Sequence, residues 1–154
     1  MSAYFFDSSA IVKRYVNEQG SDWVATTVSQ ASGSHIYVAA ITGVEVVAAF
    51  ARKRKGNLVD SLVAAAAVSQ FYRHFDKQYR VVSVTDPVIA RSMQMADTHA
   101  LRGYDAVQLG AAIEVNNRRL AFGAPVPLTL VTSDTELLAA ATAEGLLTDN
   151  PNVH

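Results

Sequence analysis

The chain has 154 residues, of which half are hydrophobic and 18% are charged; this composition is typical of one folded domain and excludes a disordered protein. A formal net charge of −1 excludes a basic nucleic-acid-binding arm and an acidic tail. No cysteine is present, which excludes disulfides, zinc–thiolate sites and cysteine nucleophiles. Asp7 interrupts the first apolar run, so we expect no signal peptide. We also expect no membrane segment and a soluble, cytoplasmic protein.

Strand-like and helix-like patterns alternate along the chain. Short apolar runs predict strands at Ala3–Phe6, Ile36–Ala39, Arg80–Val84 and Leu128–Thr132, with a short fifth strand at Leu146–Thr148. Helical spacing of apolar residues predicts helices over 8–16, 21–29, 42–54, 59–75, 85–101, 104–120 and 133–143. Strands separated by helices, without hairpin signals, are typical of a parallel sheet covered on both faces. We therefore predict a single α/β domain over residues 1–154, a three-layer α/β/α sandwich around a parallel sheet of four to five strands.

Four acidic residues lie at strand ends or helix starts. Asp7 follows the first strand, and Glu45 falls in the first turn of the helix after the second strand. Asp105 begins a later helix, and Asp134 lies two residues beyond the fourth strand. Because active sites of open α/β sheets lie beyond the carboxyl ends of the strands, we expect these carboxylates to face one edge. Mg²⁺ and Mn²⁺ prefer such oxygen ligands, so the pattern predicts a catalytic metal site suited to phosphodiester cleavage.

Each of these acids also has a purely structural interpretation. Asp7 could cap the first helix, and Asp105 could complement a helix dipole. Thr42–Glu45 and Ser133–Glu136 both fit the capping-box pattern, and the second box leaves Asp134 without a capping role. The functional prediction therefore depends on the four acids being taken together.

Four segments follow one another in an order and spacing that is specific when they are taken together. They are Tyr4–Lys13, Thr42–Val46, Arg102–Leu109 and Val131–Ala141. In this order they resemble the PIN-domain family, and in particular the VapC-type toxins of toxin–antitoxin pairs. The resemblance implies a PIN-like fold and an Mg²⁺- or Mn²⁺-dependent endoribonuclease whose metal ligands are the four acids, with Ser9 and Thr132 beside them. It also implies an RNA substrate, a homodimer and a small cognate antitoxin that covers the site.

Three basic residues are predicted to contact the substrate backbone. Lys13 and Arg14 follow Asp7 closely, and Arg52 opens the basic run Arg52–Lys55 at the end of a helix. The alternative for that run is a solvated helix end whose charges complement the helix dipole.

Two other functions are compatible with the same sequence. A phosphatase could use Asp7 as a nucleophile, but such a site is expected to have a second Asp two residues on, where Ser9 stands, and a late Lys, whereas no Lys follows Lys77. A non-catalytic module that binds RNA or protein would use the carboxylates only as helix caps.

Overall fold

The computed structural model describes residues 1–154, and its centre is a sheet of five parallel strands. The strands are β1 (Ala3–Phe6), β2 (His35–Ala39), β3 (Arg80–Val82), β4 (Thr129–Val131) and β5 (Leu147–Asp149). Their order across the sheet is β3-β2-β1-β4-β5. The carboxyl ends of all five strands therefore meet at one edge, with β1 in the centre.

Seven helices connect and cover these strands. They are α1 (Ser8–Ile11), α2 (Ser21–Val28), α3 (Ala40–Lys55), α4 (Ser61–Lys77), α5 (Asp86–His99), α6 (Gly103–Ala121) and α7 (Thr135–Ala143). The helix predicted over 8–16 is shorter, because a 3₁₀ turn at Val12–Arg14 replaces its second half. The helix predicted from Thr42 begins earlier, at Ala40, directly after β2. No helix combines the length and the apolar character that crossing a membrane requires.

The two faces of the sheet bury separate hydrophobic cores. Because successive side chains of a strand point to opposite faces, neighbouring residues of β1 belong to different cores. Phe5 packs with Leu109 of α6 and Leu137 of α7, whereas Phe6 packs on the other face with Phe50 of α3 and Phe71 of α4. The predicted three-layer sandwich is thus confirmed, with five strands in its sheet.

A glycine allows close packing of α5 against α6. A Cβ atom at Gly110 would lie 2.9 Å from the backbone nitrogen of Ser92 and closer still to its hydroxyl. The Ser92 hydroxyl is held in place, because it donates to the carbonyl oxygen of Val88 at 2.7 Å. This contact fixes the position of α6, whose first turn carries Asp105.

Candidate functional site

Asp7 lies at the junction of β1 and α1, at the centre of the carboxyl edge, and is 3% exposed. Its Oδ1 accepts hydrogen bonds from the Ser9 hydroxyl at 2.8 Å and from the Ala10 amide at 2.9 Å. Its Oδ2 accepts one from the Thr132 hydroxyl at 2.6 Å. Asp7 therefore caps α1, and both predicted supporting hydroxyls touch it. Since a carboxylate oxygen has two lone pairs, Oδ2 retains capacity for one further ligand.

The loop between β4 and α7 is tied to the same network. The Ser133 amide donates to Ser9 Oγ, and the Asp134 amide donates to Thr132 Oγ1, each at 3.0 Å. Asp134 Oδ1 accepts from the Leu137 amide at 2.9 Å, so Asp134 is the N-cap of α7. The prediction that Ser133 caps this helix is wrong, because its hydroxyl is buried and has no hydrogen-bond partner.

Glu45 occupies the second turn of α3, since this helix begins at Ala40 rather than Thr42. Thr42 is buried inside the helix, and its hydroxyl accepts a 2.9 Å hydrogen bond from the Gln108 side chain. The capping-box interpretation of Thr42–Glu45 is therefore wrong. Glu45 Oε1 is buried and has no hydrogen-bond partner. An orphaned carboxylate oxygen is costly, and a cation would satisfy it.

Burial and neighbouring negative charges raise the pKa values of Asp7 and Asp105. Burial and the negative charges of Asp134 and Glu45 raise the pKa of Asp105, and Arg102 offsets part of this effect. Burial raises the pKa of Asp7 to about 6 despite its hydrogen bonds, and Asp105 adds a smaller upward contribution. Asp105 thus lies within electrostatic reach of each of the other three predicted acids.

The donor set suits a hard divalent cation, because it consists of carboxylate oxygens only. The orphaned Glu45 Oε1 and the free capacity of Asp7 Oδ2 also fit such an ion. No group of three acidic or histidine side chains is close enough to surround one ion as the side chains stand. Like-charged carboxylates repel one another in the absence of a cation.

A cavity of about 620 Å³ opens beside these acids. Ser9 and Glu45 line one part of it, and Arg52 from the end of α3 lines another. Tyr104 at the start of α6 also lines the cavity and is 64% exposed. Tyr104 is not among the residues predicted from the sequence, although it directly precedes the predicted ligand Asp105. The rest of the lining is Ser8, Val12, Ile41, Val44, Ala48 and Ala49.

Two of the three predicted substrate contacts point elsewhere. Lys13 is 6% exposed, and its ammonium group donates to Glu18 at 3.2 Å. Arg14 donates to the Tyr79 hydroxyl at 2.8 Å and to the Gln78 side chain at 3.0 Å. Neither side chain lines the cavity, whereas Arg52 does. The contact of these three residues with a substrate stays a prediction.

Solved structures share this fold over nearly their whole length. FitAcB from Neisseria gonorrhoeae is 17% identical with a TM-score of 0.62, over 96% of this chain and 97% of that one. VapBC2 from Rickettsia felis, bound to a DNA fragment from their promoter, is 13% identical with a TM-score of 0.63, over 96% and 98%. A toxin–antitoxin complex from Klebsiella pneumoniae is 16% identical with a TM-score of 0.63, over 96% and 97%.

No family model matches the sequence, and no curated protein matches it either. The likeness to the solved structures, at these identities, is a likeness of fold. It confirms the predicted PIN-like α/β/α architecture.

Proposed function

We propose that this protein is a metal-dependent endoribonuclease that acts as the toxin of a toxin–antitoxin pair. One observation carries the proposal: Asp105 lies within electrostatic reach of Asp7, Glu45 and Asp134 at the carboxyl edge of a PIN-like sheet, where the Thr132 hydroxyl links Asp7 to the Asp134 amide. The shared fold with FitAcB, VapBC2 and the toxin–antitoxin complex from Klebsiella pneumoniae supports the proposal.

The catalytic residues are Asp7, Glu45, Asp105 and Asp134, and the same carboxylates would hold Mg²⁺ or Mn²⁺. When bound, the cation would activate a water and stabilise the leaving oxygen in phosphodiester hydrolysis. Asp7 is the most rigid of the four, because three hydrogen bonds fix both of its oxygens. Ser9 and Thr132 are positioning residues that hold Asp7 and the loop carrying Asp134 in one arrangement.

The neighbouring cavity would receive the nucleotide next to the scissile phosphate. Arg52 supplies a positive charge to it, suited to a phosphate oxygen. The exposed ring of Tyr104 offers a surface on which a base can stack. The apolar floor between these two residues suits a base better than a second phosphate.

The partners that we propose are RNA, a small antitoxin and a second copy of this chain. The structure from Klebsiella pneumoniae that shares this fold is a toxin–antitoxin complex, and the match covers 96% of this chain. An antitoxin that covers the carboxyl edge would prevent substrate from reaching Asp7 and Asp105.

The test is cleavage of single-stranded RNA with Mn²⁺ or Mg²⁺, compared between the natural chain and Asp105→Asn. We expect the variant to fold and to lose cleavage, because Asn keeps the shape of the side chain and removes the charge. Asp97→Asn, which changes an exposed acid on α5, is the matched control and should cleave normally. Cleavage by Asp105→Asn at the natural rate, or cleavage that persists in a chelator, would refute the proposed site.

A further inference from the structure

Three arginines converge on one cavity at the end of α6 that is opposite to Asp105. The cavity has a volume of about 350 Å³ and lies between β3 and the last turns of α6. Arg80 comes from β3, whereas Arg118 and Arg119 come from α6. With a rise of about 1.5 Å per residue, α6 separates Arg118 from Asp105 by roughly 20 Å. The cavity is therefore distinct from the acidic site.

Two of these arginines share one aromatic ring. The guanidinium groups of Arg80 and Arg119 each lie 5.8 Å from the centre of the Tyr37 ring. Tyr37 and Arg80 are register partners in adjacent parallel strands, which fixes their proximity. Cation–π attraction offsets part of the repulsion between the two like charges. The ring thus holds both guanidinium groups at the cavity wall.

The positive charge of the cavity has no acidic partner in the chain, and the one hydrogen bond from these arginines runs from Arg119 to the Val126 carbonyl oxygen at 3.4 Å. None of the three arginines forms an ion pair. The only acid in the cavity wall is Glu114, whose Oε1 accepts a 3.0 Å hydrogen bond from Arg91. Arg119 Nε is buried and has no hydrogen-bond partner. Burial and the charges of Arg80 and Arg119 lower the pKa of His35 beside the cavity.

A helix dipole explains only part of this arrangement. Cations at the C-terminus of a helix are favourable on their own, which accounts for Arg118 and Arg119. The helix dipole does not account for Arg80, which belongs to β3 and lines the same cavity. Guanidinium groups match phosphate oxygens in geometry, and hydroxyl groups such as those of Ser83 and Thr85 in the cavity wall are further donors to nucleic-acid backbones.

We propose that this arginine cavity is a second phosphate-binding site, which contacts the backbone of an RNA that extends beyond the acidic site. The identity of the polymer rests on the proposed ribonuclease function. The presence of an anion site rests on the arginines alone. Long RNA would then bind more tightly than RNA that reaches only the acidic site.

The experiment measures binding of a single-stranded RNA of about 20 nucleotides by fluorescence anisotropy, in a chelator and over a range of salt concentrations. The test variant is Arg80→Gln/Arg118→Gln, which leaves Arg119 and its packing unchanged. The control is Arg73→Gln/Lys77→Gln, which removes the same charge from the exposed surface of α4.

We expect the test variant to weaken binding about tenfold at ~0.1 M salt, and to reduce the slope of log K against log salt by about 1.4, since each single-strand contact contributes about 0.7. The control should differ from the natural chain by less than about twofold. Equal weakening in both variants would overturn the proposal. Unchanged RNA binding with loss of binding to a polyglutamate peptide would also overturn it, and would assign the cavity to an acidic protein partner.

Cleavage of an RNA dinucleotide with Mn²⁺ separates this proposal from the proposed function. The short RNA cannot span both sites, so the arginine variant should cleave it at the natural rate. A chain that cleaves no RNA would refute the nuclease, whereas the binding of the long RNA would still decide the role of the arginine cavity.

Discussion

The two ends of α6 carry opposite charge in two different kinds of setting. At its N-terminus, Asp105 joins acids that are half-buried or buried, and Asp7 among them is fixed by three hydrogen bonds. At its C-terminus, Arg118 and Arg119 meet Arg80 in an open cavity with an aromatic wall. Both ends agree with the helix dipole. The net charge of −1 therefore conceals two separated clusters of like charge.

The difference in burial indicates different ligands. Buried carboxylates with an orphaned oxygen at Glu45 suit a small counter-ion that would fit among them. The exposed Arg80 and Arg118 suit a flexible anionic polymer whose phosphates remain partly solvated. Under the proposed function, a nearly neutral chain would bind nucleic acid without a basic arm.

The largest effect should come from breaking the acidic end with Asp7→Asn. This substitution keeps the shape of the side chain and removes its charge, so we expect RNA cleavage to fall by about a hundredfold or more. RNA binding in a chelator should not decrease, because the arginine end is unchanged. Cleavage assays and anisotropy on one preparation would check both. Loss of binding along with loss of cleavage would contradict the separation of the two ends.

The burial of Asp7 at the acidic end should make the free energy of unfolding depend on pH. The pKa of Asp7 in the folded state is about 6, above its ordinary 3.8, so the folded chain binds more protons than the unfolded chain between these values. The contribution of Asp7 to the free energy of unfolding therefore falls as the pH rises from about 4 to about 6, by ~3 kcal/mol in total. Other carboxylates change stability over the same range.

The measurable quantity is thus the difference between the natural chain and Asp7→Asn in urea denaturation with a chelator. Relative to the variant, the natural chain should lose stability across this pH window and not regain it above pH ~6. If the difference in free energy of unfolding between the natural chain and Asp7→Asn stayed constant or rose with pH, burial of the charged Asp7 side chain would not destabilise the folded state.

Gly110→Ala should disturb both ends of α6, because Gly110 allows α6 to pack closely against Ser92 of α5. The added Cβ would overlap Ser92, so we expect a loss of about 1–3 kcal/mol in the free energy of unfolding. Gly103→Ala is the matched control on the same helix, since a Cβ there meets nothing within 4 Å. Urea denaturation of the two variants checks this, and equal stabilities would show that the interhelical contact is not tight.

Thr132→Val tests whether the hydrogen-bond network around Asp7 and Asp134 positions the acidic end. The variant removes the donor to Asp7 Oδ2 and the acceptor of the Asp134 amide, with an expected cost of about 1–2 kcal/mol. Thr132→Ser keeps the hydroxyl and should retain most of the stability and cleavage. If Thr132→Val were as stable and active as Thr132→Ser, the network would have no positioning role.

Much of the acidic site follows from the sequence. Parallel topology brings strand ends to one edge, so the approach of Asp7, Asp134 and Asp105 could be predicted from their positions. The start of α3 could not be predicted from the sequence, because its N-cap residue, Ala39, forms no side-chain capping hydrogen bond. The predicted start at Thr42 therefore placed Glu45 in the first turn, whereas it lies in the second, and it produced a capping box that does not exist.

The inward orientation of Lys13 and the arginine cavity could not be predicted from the sequence, because both depend on contacts that local sequence patterns do not show. Lys13 turns inward because Glu18 accepts its ammonium group, a pairing that charge patterns alone do not show. The arginine cavity requires the register of Tyr37 with Arg80 and the full length of α6 up to Arg119. Neither the register nor the helix length follows from local periodicity.

The measurement that tests the central claim most directly is titration of the purified protein with Mn²⁺ by calorimetry, without RNA. The natural chain and Arg80→Gln/Arg118→Gln should bind Mn²⁺ with the same affinity, whereas Asp105→Asn should bind at least about tenfold more weakly. Equal Mn²⁺ binding by Asp105→Asn and the natural chain would contradict the assignment of the acidic end as a metal site.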